Sequence, residues 1–224
     1  MRKIKKFIWK IFLWFNIISI GLVVTFKFIP VFFTPLMAIR AIQNFQKNEE
    51  VVFSHTWVAL EEINTNLPKA VIASEDAKFL NHYGFDFAAM KMAYLGNKKG
   101  KKIRGGSTIS QQTAKNVFLW QGRSYIRKGV EAYFTVLIEL IWGKKRIMEV
   151  YLNSIEMGKG VYGVQAAAKH WYSKDAKNLN REQAAGIAAI LPAPLRFKAS
   201  NSSGYIIRRK TKIARYLQDV KWEE

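Results

Sequence analysis

The chain has 224 residues, with 36 lysines and arginines against 16 aspartates and glutamates, for a formal charge of +20. Half of its residues are hydrophobic and seven are tryptophan, which excludes a disordered polymer and allows one sizeable core plus an appendage. Cysteine is absent, which excludes disulfides and thiolate metal sites, while the charge points to polyanions: nucleic acid, anionic lipid or phosphorylated substrates.

Arg2, Lys3, Lys5, Lys6 and Lys10 precede an apolar run over 11–26, which 28–33 extends past Lys27. With its flanks the run reaches the roughly 20 residues of a spanning helix. Lys10 and Lys27 are placed to snorkel at its two ends. We read 1–10 as a cytoplasmic basic tail, 11–33 as a single transmembrane anchor, 34–66 as a membrane-proximal connector and 67–224 as the functional domain. Positive residues ahead of the span keep the N-terminus in the cytoplasm. A cleaved signal peptide is the alternative, but the run exceeds the usual apolar region and no clear small-x-small cleavage site follows. With an anchor, nucleic acid drops out as a partner, and membrane lipids and lipid-linked anions remain. Residues 34–45 mix apolar and basic groups, as a helix along the membrane or a linker helix would.

Residues 51–58 alternate weakly and predict a short strand; Ser54, His55 and Thr56 within it make no catalytic arrangement by themselves. Pro68 suits the opening of a helix over 69–83, closed by Gly84. That helix would put Glu75, Phe79 and His82 on one face, where a carboxylate is out of place for a core. A surface glutamate beside a structural histidine is the alternative. Asp86 reads as the N-cap of a helix over 87–95 that ends at Gly96. Lys98, Lys99, Lys101, Lys102 and Arg104 make 97–104 a basic loop, either merely solvated or facing lipid or phosphate.

The stretch 105–116, GGSTISQQTAKN, is the most informative. Ser107 or Thr108 can cap a helix, and Gln111 completes a capping-box spacing with Thr108. The exposed N–H groups of that helix end suit an anion. Gln111 and Lys115, four apart, share a face, so hydroxyl, amide and ammonium groups could converge on a sugar or a phosphate. An ordinary capped helix after a loop is the plainer reading.

Gln121, Gly122 and Arg123 lead into a helix over 124–142 that stops at Gly143. Arg127 and Lys128 precede Glu131 by four and three residues. They form either helix-stabilising ion contacts or a carboxylate held beside a cationic phosphate site. A helix over 144–154 carries Ile147, Val150 and Tyr151. Gly158, Gly160 and Gly163 form a glycine-rich turn that lacks any nucleotide-loop spacing. An alanine-rich segment over 164–171 follows. Asn180 and Gln183 cap a second alanine-rich helix that ends at 191–194, and 205–218 make a final basic helix. The domain is therefore mainly α.

Glu75-Asp-Ala-Lys-Phe79, then His82-Tyr-Gly84-Phe-Asp86, then 105–116, then Arg127-Lys128-x-x-Glu131, then Tyr151-Leu-Asn153 and Gly158 occur in order. Over 68–197 this closely resembles glycosyltransferase family 51, the peptidoglycan glycosyltransferases. The resemblance implies a lysozyme-like helical fold and polymerisation of lipid II into β-1,4 glycan strands with release of undecaprenyl diphosphate. It implies a bacterial cytoplasmic (inner) membrane location with the catalytic domain outside. The growing lipid-linked strand becomes a partner, and other cell-wall synthesis proteins become candidate partners. No Ser-x-x-Lys motif is present, so a transpeptidase domain is not expected.

By the same resemblance, Glu75 is the general base toward the acceptor 4-hydroxyl, and Glu131 is the second catalytic glutamate, assisting departure of the diphosphate. Lys115 and Arg123 hold the diphosphate, with Arg127 and Lys128 beside them. Ser107, Thr108, Gln111 and Gln112 line the substrate cleft. Asp76, Phe79, His82, Asp86, Asn116 and Asn153 take supporting places. No dedicated metal cage is visible; a divalent cation such as Mg2+ is optional. Two rivals stand beside this reading: a lysozyme-type muramidase with paired acids, and a basic membrane scaffold without catalysis. The cations at 115, 123, 127 and 128 favour transfer over hydrolysis, which has no diphosphate to hold.

Overall fold

Helix α1 (Arg2–Phe28) takes in both the basic segment and the apolar run, because no proline stands before Pro30. It stops short of the expected residue 33 for the same reason: Ile29 precedes Pro30, and that neighbour is pushed out of helical angles. The computed structural model describes residues 2–48, 50–98, 106–122 and 124–222. Arg123, Gly105 and most of the expected basic loop lie outside the described residues.

Among the described residues α1 is the one helix long and apolar enough to cross a membrane. Its first half exposes Phe7, Trp9, Phe12 and Trp14, whereas Ser19 and Val23 in its second half are buried. That half docks on α6 (Tyr125–Ile141). Ser19 Oγ shares a hydrogen bond of 2.7 Å with the Tyr133 hydroxyl, which also donates to Asn16 Oδ1 at 3.0 Å. Trp142 Nε1 donates to the Val23 carbonyl at 2.7 Å. Arg146 donates to the Phe26 and Ile29 carbonyls at 2.8 and 2.7 Å. The last carbonyls of a helix lack internal partners and carry partial negative charge, so an arginine suits them.

The connector expected at 34–66 holds α2 (Pro35–Gln46), with Thr34 as its N-cap. It is tied to the domain by Arg40, whose Nε stands 3.1 Å from Glu156. Strand β1 (Ser54–His55) is shorter than predicted and runs parallel to β3 (Val161–Tyr162). Strand β2 (Glu156–Gly158) pairs antiparallel on the other side of β3, so the expected glycine turn is a hairpin. Gly160 has φ +69°, and a Cβ there would lie 2.0 Å from the Val52 carbonyl oxygen, so only glycine lets β1 approach.

The core centres on α9 (Arg181–Ile190), where Ala184, Ala185, Ile187, Ala188, Ala189 and Ile190 are fully buried. Its small residues let α3 (Asn66–Glu75) and α10 (Gly204–Tyr216) pack closely against it. On the other side α5 (Ile109–Phe118) packs against α6 and α7 (Gly143–Ser154). Helices α4 (Phe87–Lys98) and α8 (Val164–Tyr172) complete a mainly helical domain, as expected. The capping boxes at Thr108 with Gln111 and Asn180 with Gln183 both form.

Helix α3 departs from its expectation: it ends at Glu75, not near Tyr83. Asp76 leaves helical geometry at φ −158°, because its carboxylate is drawn elsewhere. It accepts from the Ile109 N–H and from His82 Nε2, each at 3.0 Å. Residues 79–81 form a separate short 3-10 turn, so Glu75, Phe79 and His82 do not share a helical face.

Candidate active site

Glu75 is thus presented at a helix end, beside a cleft of about 230 Å³ lined by Glu75, Asp76, Lys78, Asp86, Ser107 and Thr108, among others. Ser107 is exposed at its edge. Thr108 Oγ1 donates to the Gly84 carbonyl at 2.6 Å, which ties the start of α5 to the loop after α3. Gly84 itself has φ +83°, and a Cβ would strike Thr135 Cγ2 at 2.7 Å. Asp86 caps α4 through the Ala89 N–H at 2.9 Å, the main influence holding its carboxyl below the usual range.

The anion expected at the start of α5 is supplied by the chain itself, as the Asp76 carboxylate on the Ile109 N–H. Gln111 is 2 % exposed, and its amide oxygen accepts from the Thr108 N–H, so its polar end is used within the capping box. Gln112 instead reaches the site: its Nε2 donates to Glu75 Oε2 at 3.2 Å. The Tyr151 hydroxyl donates to Gln112 Oε1 at 3.4 Å. Burial, then Glu75 and Asp76, push that phenol well above its ordinary pKa, so it stays a donor.

Lys115 stands one turn further along α5. Burial lowers its pKa, Glu131 raises it, Arg127 and Lys128 lower it again, and Glu75 raises it. It therefore lies in the field of both candidate carboxylates. Among the described residues it makes no ion pair of its own, unlike Arg127 and Lys128. Glu131 is 2 % exposed, with Arg127 Nη1 at 2.9 Å and Lys128 Nζ in close contact on its other oxygen. The ion contacts expected of that trio form, within one turn of α6.

Of the supporting residues, Asp76, Phe79, Asn116 and Asn153 are buried in the framework, while His82 and Asp86 are partly exposed. Phe79 is fully buried beneath Lys144, whose Nζ lies 4.6 Å from the ring centre. Lys144 also donates to the His82 carbonyl at 2.6 Å and to Glu139 at 2.7 Å. Asn153 bonds both the N–H and the carbonyl of Val58, and its own carbonyl accepts from His55 Nε2 at 2.9 Å. Asn116 is buried on α5. Sequence reasoning missed Glu139, Lys144 and Arg209. Among the described residues, no group of three or more His, Asp or Glu is placed to hold a metal ion.

A helical domain that sets one carboxylate at a cleft and a second among cations has the architecture of a glycan-processing enzyme. Residues 40–218 match the family model described as Transglycosylase. A biosynthetic peptidoglycan transglycosylase of Caulobacter vibrioides is 54 % identical, over 86 % of this chain and 82 % of that protein. Proteins of the same description from Bacteroides thetaiotaomicron and Bdellovibrio bacteriovorus are 49 % and 50 % identical. They cover 98 % and 94 % of this chain, and 89 % and 84 % of their own lengths. The chain belongs to the transglycosylase family: it is a glycosyltransferase with a lysozyme-like helical domain.

Proposed function

We propose that this chain polymerises lipid II into β-1,4 glycan strands and releases undecaprenyl diphosphate. The family and the described relatives support peptidoglycan as the product. The observation that carries the mechanism is Glu75 at the cleft, held at 3.2 Å by Gln112 on the same helix as Lys115.

A sugar hydroxyl attacks poorly unless its proton leaves as the bond forms. A carboxylate in reach contributes about 10²–10⁴-fold. Glu75 takes the proton from the acceptor 4-hydroxyl while that oxygen bonds to C1 of the donor sugar. The C1–O bond to the diphosphate breaks, and the charge gathering there is met by Lys115 and Arg123, which stabilises the transition state more than the ground state. Glu131 keeps Arg127 and Lys128 in place beside that charge and so assists departure. Ser107 and Thr108 line the cleft, and Gln112 meets it through Glu75.

Helix α1 acts as a single-pass anchor with its N-terminus in the cytoplasm and the catalytic domain outside. Anchoring enzyme and substrate in one bilayer confines their search and raises effective concentration. The test is turnover of lipid II by the full chain. Wild type should yield growing strands, and Glu75→Gln should lose about 10²–10⁴-fold of that rate with an unchanged thermal melt. Release of fragments from finished glycan in place of growth would instead mark a hydrolase, and a Glu75→Gln variant at full rate would remove Glu75 as the base.

A further inference from the structure

Arg209 lies on α10, 134 residues from Glu75, and outside every stretch that suggested the site. Its Nη2 donates to Ser74 Oγ at 2.9 Å and stands 3.5 Å from Glu75 Oε1. The Ser74 hydroxyl has one proton for two acceptors, Glu75 Oε1 at 3.2 Å and the Ala188 carbonyl at 3.1 Å. An N–H from Arg209 on that oxygen ties the hydroxyl, and through it the carboxylate, to α10. Gln112 grips the opposite carboxylate oxygen. Arg209 Nε is buried without a partner among the described residues. Leaving a guanidinium N–H unbonded is costly, so packing alone does not account for an arginine here.

We infer that Arg209 is a positioning residue for the catalytic carboxylate: it fixes the Oε1 side of Glu75 and supplies a counter-charge at a helix end. The backbone offers a carboxylate there no support of its own. The inference rests on the reading of Glu75 as the base. It makes the last helix, remote from the sugar-facing stretch, a component of the reaction centre.

Full-length Arg209→Ala, Arg209→Lys and Glu75→Gln are to be assayed on lipid II in detergent, with thermal melts alongside. For Arg209→Ala we expect kcat to fall about 10- to 100-fold, the loss of a hydrogen bond to a charged group. KM should stay within about threefold, since the contact is to the enzyme's own base rather than to substrate. Arg209→Lys should recover part of kcat, and added guanidinium should lift Arg209→Ala but not Glu75→Gln. A folded Arg209→Ala with wild-type kcat overturns the inference and leaves Glu75 standing. A fall in kcat relieved by neither lysine nor guanidinium marks a packing role and also overturns it. Glu75→Gln at full rate sinks the Glu75 reading itself, and this inference with it. Should Arg209→Ala not fold, Arg209→Gln, which keeps bulk and a donor without charge, takes its place with the same outcomes.

Discussion

Glu75 and Glu131 are held in opposite ways. Glu75 ends a helix, and its partners are a neutral amide, a neutral hydroxyl and one guanidinium at 3.5 Å. Glu131 sits inside a helix, 2 % exposed, with a cation on each oxygen. A carboxylate held largely by neutral donors can take up a proton and strand little charge. One saturated by two cations would leave both unpaired in a buried place. The difference supports the proposed division of labour, with proton transfer at Glu75 and electrostatic scaffolding at Glu131.

The sharpest way to break that contrast is to neutralise each acid in turn. Glu75→Gln should lose about 10²–10⁴-fold of the polymerisation rate while the melt stays put, as set out above. Glu131→Gln should cost both activity and about 3–5 kcal/mol of stability, the usual result of removing one partner of a buried pair. The Arg127 arm carries most of that cost, because Lys128 is 44 % exposed and its pairing is screened. Chemical denaturation of the two variants side by side decides it, and equal stabilities would remove the distinction.

Lys115 sharpens the comparison further. Lys115→Ala should turn over slowly and bind diphosphate-bearing inhibitors about tenfold or more weakly, since a charge-assisted contact is lost. The sign of its pH dependence follows from burial, which lowers its pKa. The useful form is the ammonium, so activity should decline as pH rises through a value below the ordinary lysine pKa. Lys115→Arg, whose charge does not titrate in this range, should move that alkaline limb upward. A limb that stays in place would assign it to another group.

The smallest effect tests how α1 meets α6 beside the site. Tyr133 lies two residues beyond Glu131 on α6, and its hydroxyl bridges to Asn16 and Ser19 of α1. Tyr133→Phe should cost about 1 kcal/mol, the net worth of a typical hydrogen bond, read as a lowered melting temperature of the full chain in detergent. No change would mean that apolar packing, including the Phe15–Tyr133 ring pair at 5.4 Å, carries the docking by itself.

How much of this was legible depends on how far each residue reaches. The capping boxes at Thr108 and Asn180 were readable because each partner lies three residues away. The Arg127, Lys128 and Glu131 trio was readable for the same reason. Asp76 misled: helical spacing carried α3 through it, while its carboxylate was engaged 33 residues away at Ile109. The cap role of Gln111 was legible from its spacing to Thr108, whereas only the tertiary placement of α5 turns Gln112 toward Glu75. Arg209 did leave a signal. It stands three residues after Ile206 and four before Ile213, both buried, so it lies on the inward stripe of α10. A cation on that stripe asks for an internal partner.

The amino-acid order alone determined a charged N-terminal apolar helix and the run of helices after it, because these follow from periodicity and from contacts within a turn or two. Tertiary packing decided where α3 stops, which glutamine meets the acid and which arginine braces it. Those bonds span 33, 37 and 134 residues. No local preference encodes a meeting at that range; the shared burial of α3, α5, α9 and α10 does.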